Sequence, residues 1–342
     1  MHRLTLAAFV LALAFATSVR SADSRAAFLK LIERPLVPLA PTQSPPSVAD
    51  GGVEIAFSFA TEAGQRVPGI LVKSHQSSGR RPVVIALHGT GGNKEGQRPF
   101  LRDLAADGFV AVAIDGRYHG ERAKGGRTAR STEYVAAILR AFQTGQEHPF
   151  FFDTVWDVMR LIDYLDTRDD VDSRRIGLIG FSKGGIETYL AAAVDPRITA
   201  AVPCIGVQSF RWAIEHDSWQ SRISTVQAAF DAAAKESGIA QPDAAFVRTF
   251  YLRVAPGLDG RFDGPAMLPL IAPRPLLVIN GEIDPRTPMP GLKQCADAAR
   301  EAYRAAGADE KFVLHLQPNT GHKVLPESLV LAREWFVRWL RP

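Results

Sequence analysis

The feature that most constrains this chain is a set of short apolar runs, each too hydrophobic throughout to have a water-facing side. They are PVVIALHG from Pro82, FVAVAIDG from Phe109, IGLIGFS from Ile176, ITAAVP from Ile198, PLLVINGE from Pro275 and FVLHLQP from Phe312. Continuous apolar strands belong to sheets covered on both faces, and parallel strands need a long crossover, usually a helix, between them. Segments of helical period lie between most of the runs: RPFLRDLAADG, TVWDVMRLIDYLDTR, GGIETYLAAAVD and GLKQCADAAREAYRAAG, with SLVLAREWFVRWL closing the chain. The alternation predicts an α/β fold, a mostly parallel central sheet flanked by helices, with ligands at the carboxyl ends of the strands. Ahead of it, VEIAFSFAT and RVPGILVKS alternate about the Glu62-Ala63-Gly64 turn as an antiparallel pair, which makes the sheet mixed.

Two stretches interrupt the alternation. Residues 116–150 form one long connection, and residues 203–270 form a longer, aromatic-rich one containing SFRWAIEHDSW. Connections of this length inside a compact domain serve as lids or binding loops, and the second is expected to be a helical cap. The α/β unit, on this reading, is a single domain over 53–342. Residues 23–52 precede it with a short helical patch, AAFLKLIE, and a linker whose prolines and small polar residues are expected to hold no regular element. Residues 1–22 begin with His2 and Arg3, continue as an apolar run from Leu4 to Ala16 and end in small residues near Ser18, Ser21 and Ala22. That is the order of a secretory signal peptide, shorter than the ~20 apolar residues of a membrane span. It predicts an exported protein, periplasmic or secreted, with no membrane association after removal of the leader, cleaved after Ser18, Ser21 or Ala22.

Charge argues against a nucleic-acid partner. The formal net charge is +4, but Lys and Arg are scattered and form no run beyond pairs such as Arg80-Arg81 and Arg174-Arg175, whereas a nucleic-acid footprint clusters them. The two cysteines, Cys204 and Cys295, lie in no CxxC or metal-ligand spacing; they read either as one disulfide or as two buried thiols. No metal site is indicated, and the pattern leaves the oligomeric state open.

The chemistry-bearing motif is Gly180-Phe181-Ser182-Lys183-Gly184, a GxSxG directly between the strand RIGLIG and the helix GIETYLAAA. A serine at such a turn sits on a strained backbone with its hydroxyl exposed, and glycines two residues to either side relieve the crowding. The helix N-terminus behind it favours developing negative charge. A hydroxyl needs a base to take its proton, and His322 in QPNTGHKV follows the last strand, at the same sheet edge; His315, inside that strand, reads as packed. Asp284 in NGEIDPRTP comes one strand-loop earlier, with Glu282 as the alternative acid; Asp284 lies further into the loop and is stiffened by Pro285. The chain order Ser, Asp, His is the one this arrangement takes on an α/β sheet. HGTGG at 88–92 follows the strand PVVIAL, and the N–H groups of Thr90 and of Lys183, the residue after the serine, are the expected oxyanion-hole donors. The glycines lack the GK[ST] ending of a P-loop.

With these motifs the chain resembles the α/β-hydrolase superfamily over about residues 53–342. DGRYHGER at 115–122, DTVWDV at 153–158, RIGLIGFSKGG and NGEIDPRTPMPG make it similar to the dienelactone-hydrolase and prolyl-oligopeptidase-related branch of serine esterases. The resemblance implies a hydrolase without metal or cofactor, acting on a small-molecule ester by acyl transfer to Ser182. It departs from the dienelactone hydrolases in having serine for their nucleophilic cysteine, and from the cephalosporin and xylan acetyl esterases in lacking their RGQ and terminal HE motifs, so sugar deacetylation is only suggested. A prolyl-oligopeptidase-like peptidase is the alternative activity, although the chain has no room for a propeller. A catalytically silent binding module would be signalled by an empty triad or oxyanion position. Tyr118 and His119, beyond the strand ending at Asp115, read either as substrate contacts or as loop packing. Trp212, His216 and Trp219 share one helical face, which lines either the substrate pocket or the core.

Overall fold

The computed structural model of the chain describes residues 23–49, 52–75, 79–123 and 126–341, so the leader expected over 1–22 lies outside the described residues. Among the described residues ten strands form a single sheet. They are β1 (Thr42–Gln43), β2 (Ser47–Ala49), β3 (Gly52–Glu62), β4 (Gln65–Ser74), β5 (Arg81–Leu87), β6 (Val110–Ile114), β7 (Val171–Phe181), β8 (Ile198–Cys204), β9 (Leu276–Gly281) and β10 (Phe312–Gln317). Their spatial order is β1-β3-β4-β6-β5-β7-β8-β9-β10, with β2 also on β3. From β6 to β10 all pairs are parallel, and β1 to β4 join antiparallel at one end.

The period of two along each strand sends neighbouring side chains into two separate cores. Val83, Ile85 and Leu87 of β5 enter one, with Val110, Val112 and Ile114 of β6 and Ile176 and Leu178 of β7. Val84 and Ala86, with Ala111, Ala113, Ile179, Leu277 and Ile279, enter the other. Two helices cover that second face, α2 (Arg98–Ala106) and α12 (Pro326–Leu340). Its strands carry small side chains there, and Gly177 lets α12 approach closely: a Cβ on Gly177 would stand 2.7 Å from the ring of Phe336. The first face is covered by α1 (residues 23–32), α3 (Gly126–Thr144), α4 (Phe152–Asp166), α5 (Lys183–Val194) and α11 (Met289–Ala305). Burying each Val, Leu or Phe side chain of these cores stabilises the fold by about 1.5–3 kcal/mol.

Every apolar run forms a strand and every helix-period segment a helix. Between β8 and β9 lies the helical cap: α6 (Phe210–Glu215), α7 (Gln220–Ile223), α8 (Gln227–Glu236), α9 (Ala244–Val254) and α10 (Gly264–Met267). Two stretches hold more regular structure than expected. The proline-rich segment 33–52 contributes β1 and β2, whose register pairs Thr42 with Ser58 and Val48 with Val53; an edge position asks nothing of the missing proline N–H groups. That segment is also tied to the domain, by Arg34 to Asp153 at 2.7 Å and by Arg160 Nη2 donating to the Val37 carbonyl at 2.7 Å. The connection 116–150 contains α3, whose Tyr134, Ile138 and Ala141 form a buried stripe at helical spacing. Cys204 and Cys295 are free buried thiols. No helix among the described residues is long and apolar enough to cross a membrane.

Phe336 is fully buried against Gly177, and its replacement, Phe336→Ala, is expected to cost about 3–5 kcal/mol. A urea denaturation midpoint unchanged from the parent's would contradict this packing.

Candidate active site

Three strand ends build the site. The first is the turn from β7 into α5, where Ser182 adopts φ 56° and ψ −110°, a conformation that costs a non-glycine residue on the order of 1–3 kcal/mol. The surroundings over-determine it. Ser182 N–H donates to the Cys204 carbonyl at 2.9 Å, and the Ser182 carbonyl accepts from Ile186 N–H at 3.1 Å. Gly180 and Gly184 are required by close approach: a Cβ on Gly180 would overlap the Gly184 carbonyl, and one on Gly184 would lie 2.5 Å from the Leu87 carbonyl oxygen.

The second and third strand ends are β9 and β10. They are pressed together where a Cβ on Gly281 would overlap the carbonyls of Thr320 and Gly321, and Ile283 N–H donates to the Thr320 carbonyl at 3.0 Å. The loop after β10 is stapled by Gln317, whose buried carboxamide donates to the Lys323 carbonyl (2.8 Å) and accepts from Leu325 N–H (2.7 Å). This loop carries His322 to Ser182 and Asp284. His322 Nδ1–H donates to Asp284 Oδ2 at 2.7 Å, and Ser182 Oγ–H donates to His322 Nε2 at 2.8 Å, with the tautomer assigned from these partners. Asp284 Oδ1 also accepts from Arg286 N–H at 2.9 Å. Glu282 instead points outward, accepting from Asn319 N–H at 3.1 Å.

Electrostatics follow the burial. Desolvation pushes the Asp284 carboxyl up, but the hydrogen bond and charge of His322 and the Arg286 N–H overcome it and hold it below the ordinary carboxylate value. Burial lowers His322; Asp284 raises it, and the nearby guanidinium groups of Arg222 and Arg286 lower it again, so it rests below its ordinary value. The imidazole is therefore neutral and able to accept a proton at neutral pH.

The loop after β5 brings Gly89 against the serine, where a Cβ would lie 3.1 Å from the Phe181 carbonyl oxygen and 3.5 Å from Ser182 Cβ. His88 fixes this loop. Its Nδ1–H donates to the Gly89 carbonyl at 2.8 Å and its Nε2 accepts from Gly116 N–H at 3.0 Å, while burial, followed by the charge of Lys183, pushes its pKa down to about 3. Gly92 N–H reaches the same Gly89 carbonyl at 3.0 Å. The Gly89 carbonyl and the Thr90 N–H belong to one planar peptide unit and point opposite ways, so holding the carbonyl aims the amide. Lys183 opens α5, where first-turn N–H groups have no intrahelical acceptor. Its side chain turns inward, buried and ion-paired with Glu187. That inward lysine is absent from the sequence-based reading, although the i,i+4 Lys/Glu spacing was its signal.

DGRYHGER braces this wall. Asp115 is fully buried and accepts from Lys94 N–H, Lys94 Nζ and Glu121 N–H, each at 2.9 Å. Arg117 and Arg122 both pair with buried Asp157, at 3.2 and 2.6 Å. His119 is 1% exposed, hydrogen-bonded through Nδ1 to the Arg117 carbonyl and packed on His88 and Tyr134. Tyr118 holds φ 59°, with its hydroxyl donating to Glu147 at 2.6 Å and accepting from Arg140 at 3.2 Å. On the cap, Trp212 and His216 stack face to face at 4.3 Å, with His216 exposed and Trp212 resting 3.5 Å from where a Gly291 Cβ would be. Trp219 turns away onto Phe230. Ser182, His322 and Asp284 thus meet, Thr90 and Lys183 flank them, and His119 and Trp219 belong to the packing.

This sheet order, with the serine on the strand-to-helix turn after β7, is that of an α/β-hydrolase, and membership of the acetyl xylan esterase family makes it a serine carboxylic ester hydrolase. The family model for acetyl xylan esterase (AXE1) matches residues 51–228, and the chain belongs to that family. It is 26% identical over 292 residues to the Bacillus subtilis (strain 168) protein YtaP, covering 81% of this chain and 84% of the relative. Among solved structures it resembles acetyl xylan esterase 1 from Thermoanaerobacterium sp. (TM-score 0.68, 18% identity, 93% of each chain). It also resembles methylesterase BT1017 (TM-score 0.66, 23% identity, 94% of this chain and 64% of that one). The family assignment stands despite the missing RGQ and HE motifs.

Gly180→Ala places a methyl group on the Gly184 carbonyl and is expected to destabilise the protein by about 1–3 kcal/mol or more and to lower ester turnover. Unchanged thermal stability together with unchanged turnover would count against the close contact at this turn.

Proposed function

We propose that the protein hydrolyses small-molecule carboxylic esters through a covalent acyl-enzyme on Ser182. The observation that carries the reading is the unbroken hydrogen-bonded chain from Asp284 through His322 to Ser182, at 2.7 and 2.8 Å. In the forward step Ser182 Oγ attacks the ester carbonyl carbon while His322 Nε2 takes its proton. The N–H groups of Thr90 and Lys183 receive the oxyanion, each such donor being worth about 2.7–4 kcal/mol. His322 then returns the proton to the leaving alkoxide. A water, deprotonated by the same imidazole, releases the acid and restores the serine. Asp284 keeps Nδ1 protonated and stabilises the imidazolium. His88 acts one step removed, as a positioning residue for the Thr90 amide.

The proposal extends to the whole chain: a secretory leader over 1–22, a docked N-terminal segment over 23–52, one hydrolase domain from 53 with its cap over 203–270, and export to the periplasm or medium. Tyr118, Trp212 and His216 are the proposed substrate-facing residues. The family makes acetylated carbohydrate the first substrate to assay, beside short-chain 4-nitrophenyl esters and aminoacyl anilides.

Three outcomes are expected. A fluorophosphonate probe should label the parent and not Ser182→Ala, whose kcat should fall by about 10⁴-fold or more; labelling that survives the substitution would sink the assignment. Because His322 must be neutral and is held below its ordinary value of 6.5, kcat/KM should rise with pH along a single limb whose midpoint lies below 6.5. A limb centred above 7 would point to another base. His88→Ala should lower kcat by about 10²-fold with little change in KM, as steady-state kinetics would read directly.

A further inference from the structure

The cap sets one buried cation against the acid loop. Arg222, on α7, is 3% exposed, and its Nη2 donates to the Arg286 carbonyl at 3.1 Å. The amide of residue 286 is the one that donates to Asp284. A guanidinium carries five N–H donors. Among the described residues this one has no carboxylate in an ion pair, no second hydrogen-bond acceptor, and a buried Nε with no partner.

Two hydroxyls share this situation. Tyr189 lies two turns along α5 from Ser182, roughly 10 Å by helical rise, and Tyr251 lies on α9. Both are buried, both hydroxyl oxygens lack a hydrogen-bond partner among the described residues, and both interact electrostatically with Arg222. Arg222 in turn reaches Asp284 and His322 electrostatically. A buried charge is normally paired and buried hydroxyls are normally bonded. Here Arg222 Nε and the two hydroxyls, from α7, α5 and α9, have no partner among the described residues, and Arg222 is joined to the acid loop through Arg286. A fork of parallel N–H groups flanked by hydroxyl donors is complementary to a planar carboxylate.

We propose that Arg222, Tyr189 and Tyr251 form a subsite for a carboxylate of the substrate, so that the enzyme acts on esters bearing an anionic group a few bonds from the scissile carbonyl. The inference rests on Ser182 being the nucleophile, and deepens that reading by naming a substrate class. Arg222 binds substrate in this role and also holds the acid loop through Arg286, so a test must separate the two.

The test compares kcat/KM at low ionic strength for two matched pairs, using the full chain. Mono-4-nitrophenyl glutarate against its neutral carboxamide isostere places the charge on the acyl side. 3-Acetoxybenzoate against 3-acetoxybenzamide places it on the alcohol side. The anionic member of at least one pair is expected to be preferred by about 10- to 100-fold. In Arg222→Gln that ratio should collapse towards one, mainly through KM, and Tyr251→Phe should reduce it by about three- to tenfold. Equal turnover of both members in both pairs overturns the subsite, as does a loss in the variants that is the same for anionic and neutral esters, which is the signature of a loop clamp or of bound water satisfying these groups. Should Arg222→Gln not fold, Tyr251→Phe and competitive inhibition by free glutarate, set against glutaramide, decide the matter: equal inhibition by the two overturns it. Failure of every ester to turn over, with no fluorophosphonate labelling, would instead strike the acyl-enzyme reading beneath it.

Discussion

The approach of two glycines around a serine governs this molecule. Because neither Gly180 nor Gly184 carries a Cβ, β7 runs into α5 without a loop, and Ser182 is held at φ 56° between a strand carbonyl and the first turn of a helix. The strain is local, but what sustains it is global. Leu87 of β5 touches Gly184, Cys204 of β8 receives the Ser182 amide, and both strands sit between the two cores. The hydroxyl is thereby fixed by the sheet itself, which is more rigid than any loop.

Rigidity elsewhere in the site comes from polar groups rather than packing. His88 is a neutral, doubly bonded buried imidazole, and Asp115 and Asp157 are buried carboxylates answered by Lys94, Arg117 and Arg122. Desolvation makes such groups costly when any partner is lost, so each network has one satisfactory geometry. The wall bearing Gly89 and Thr90 is thus set by groups that touch no substrate. By contrast, Arg222 Nε and the hydroxyls of Tyr189 and Tyr251 are buried without a hydrogen-bond partner among the described residues.

Much of this was legible in the sequence, for identifiable reasons. Strands such as PVVIAL and LLVING are apolar on both faces and bounded by glycine or proline, so local pattern and tertiary demand agree. Ser182, Asp284 and His322 were found because each ends a strand at the same sheet edge. What stayed hidden depends on partners distant in sequence. β1 and β2 exist only because β3 offers an open edge beside a proline-rich segment. The Arg222–Arg286 contact and the Gln317 staple involve ordinary polar residues whose burial no periodicity reveals. The stripe of Tyr134, Ile138 and Ala141 was present in the sequence, but a connection between strands was read as loop.

Cys204 and Cys295 lie on β8 and α11, fully covered and unbridged, and burial raises the pKa of both thiols well above its ordinary value. Thiolate is the form that exchanges with disulfides and meets oxidants, and access is the other requirement. With both withheld, the folded chain neither draws on a cross-link between these thiols nor presents one for exchange, so its architecture is held together by packing and polar contacts alone.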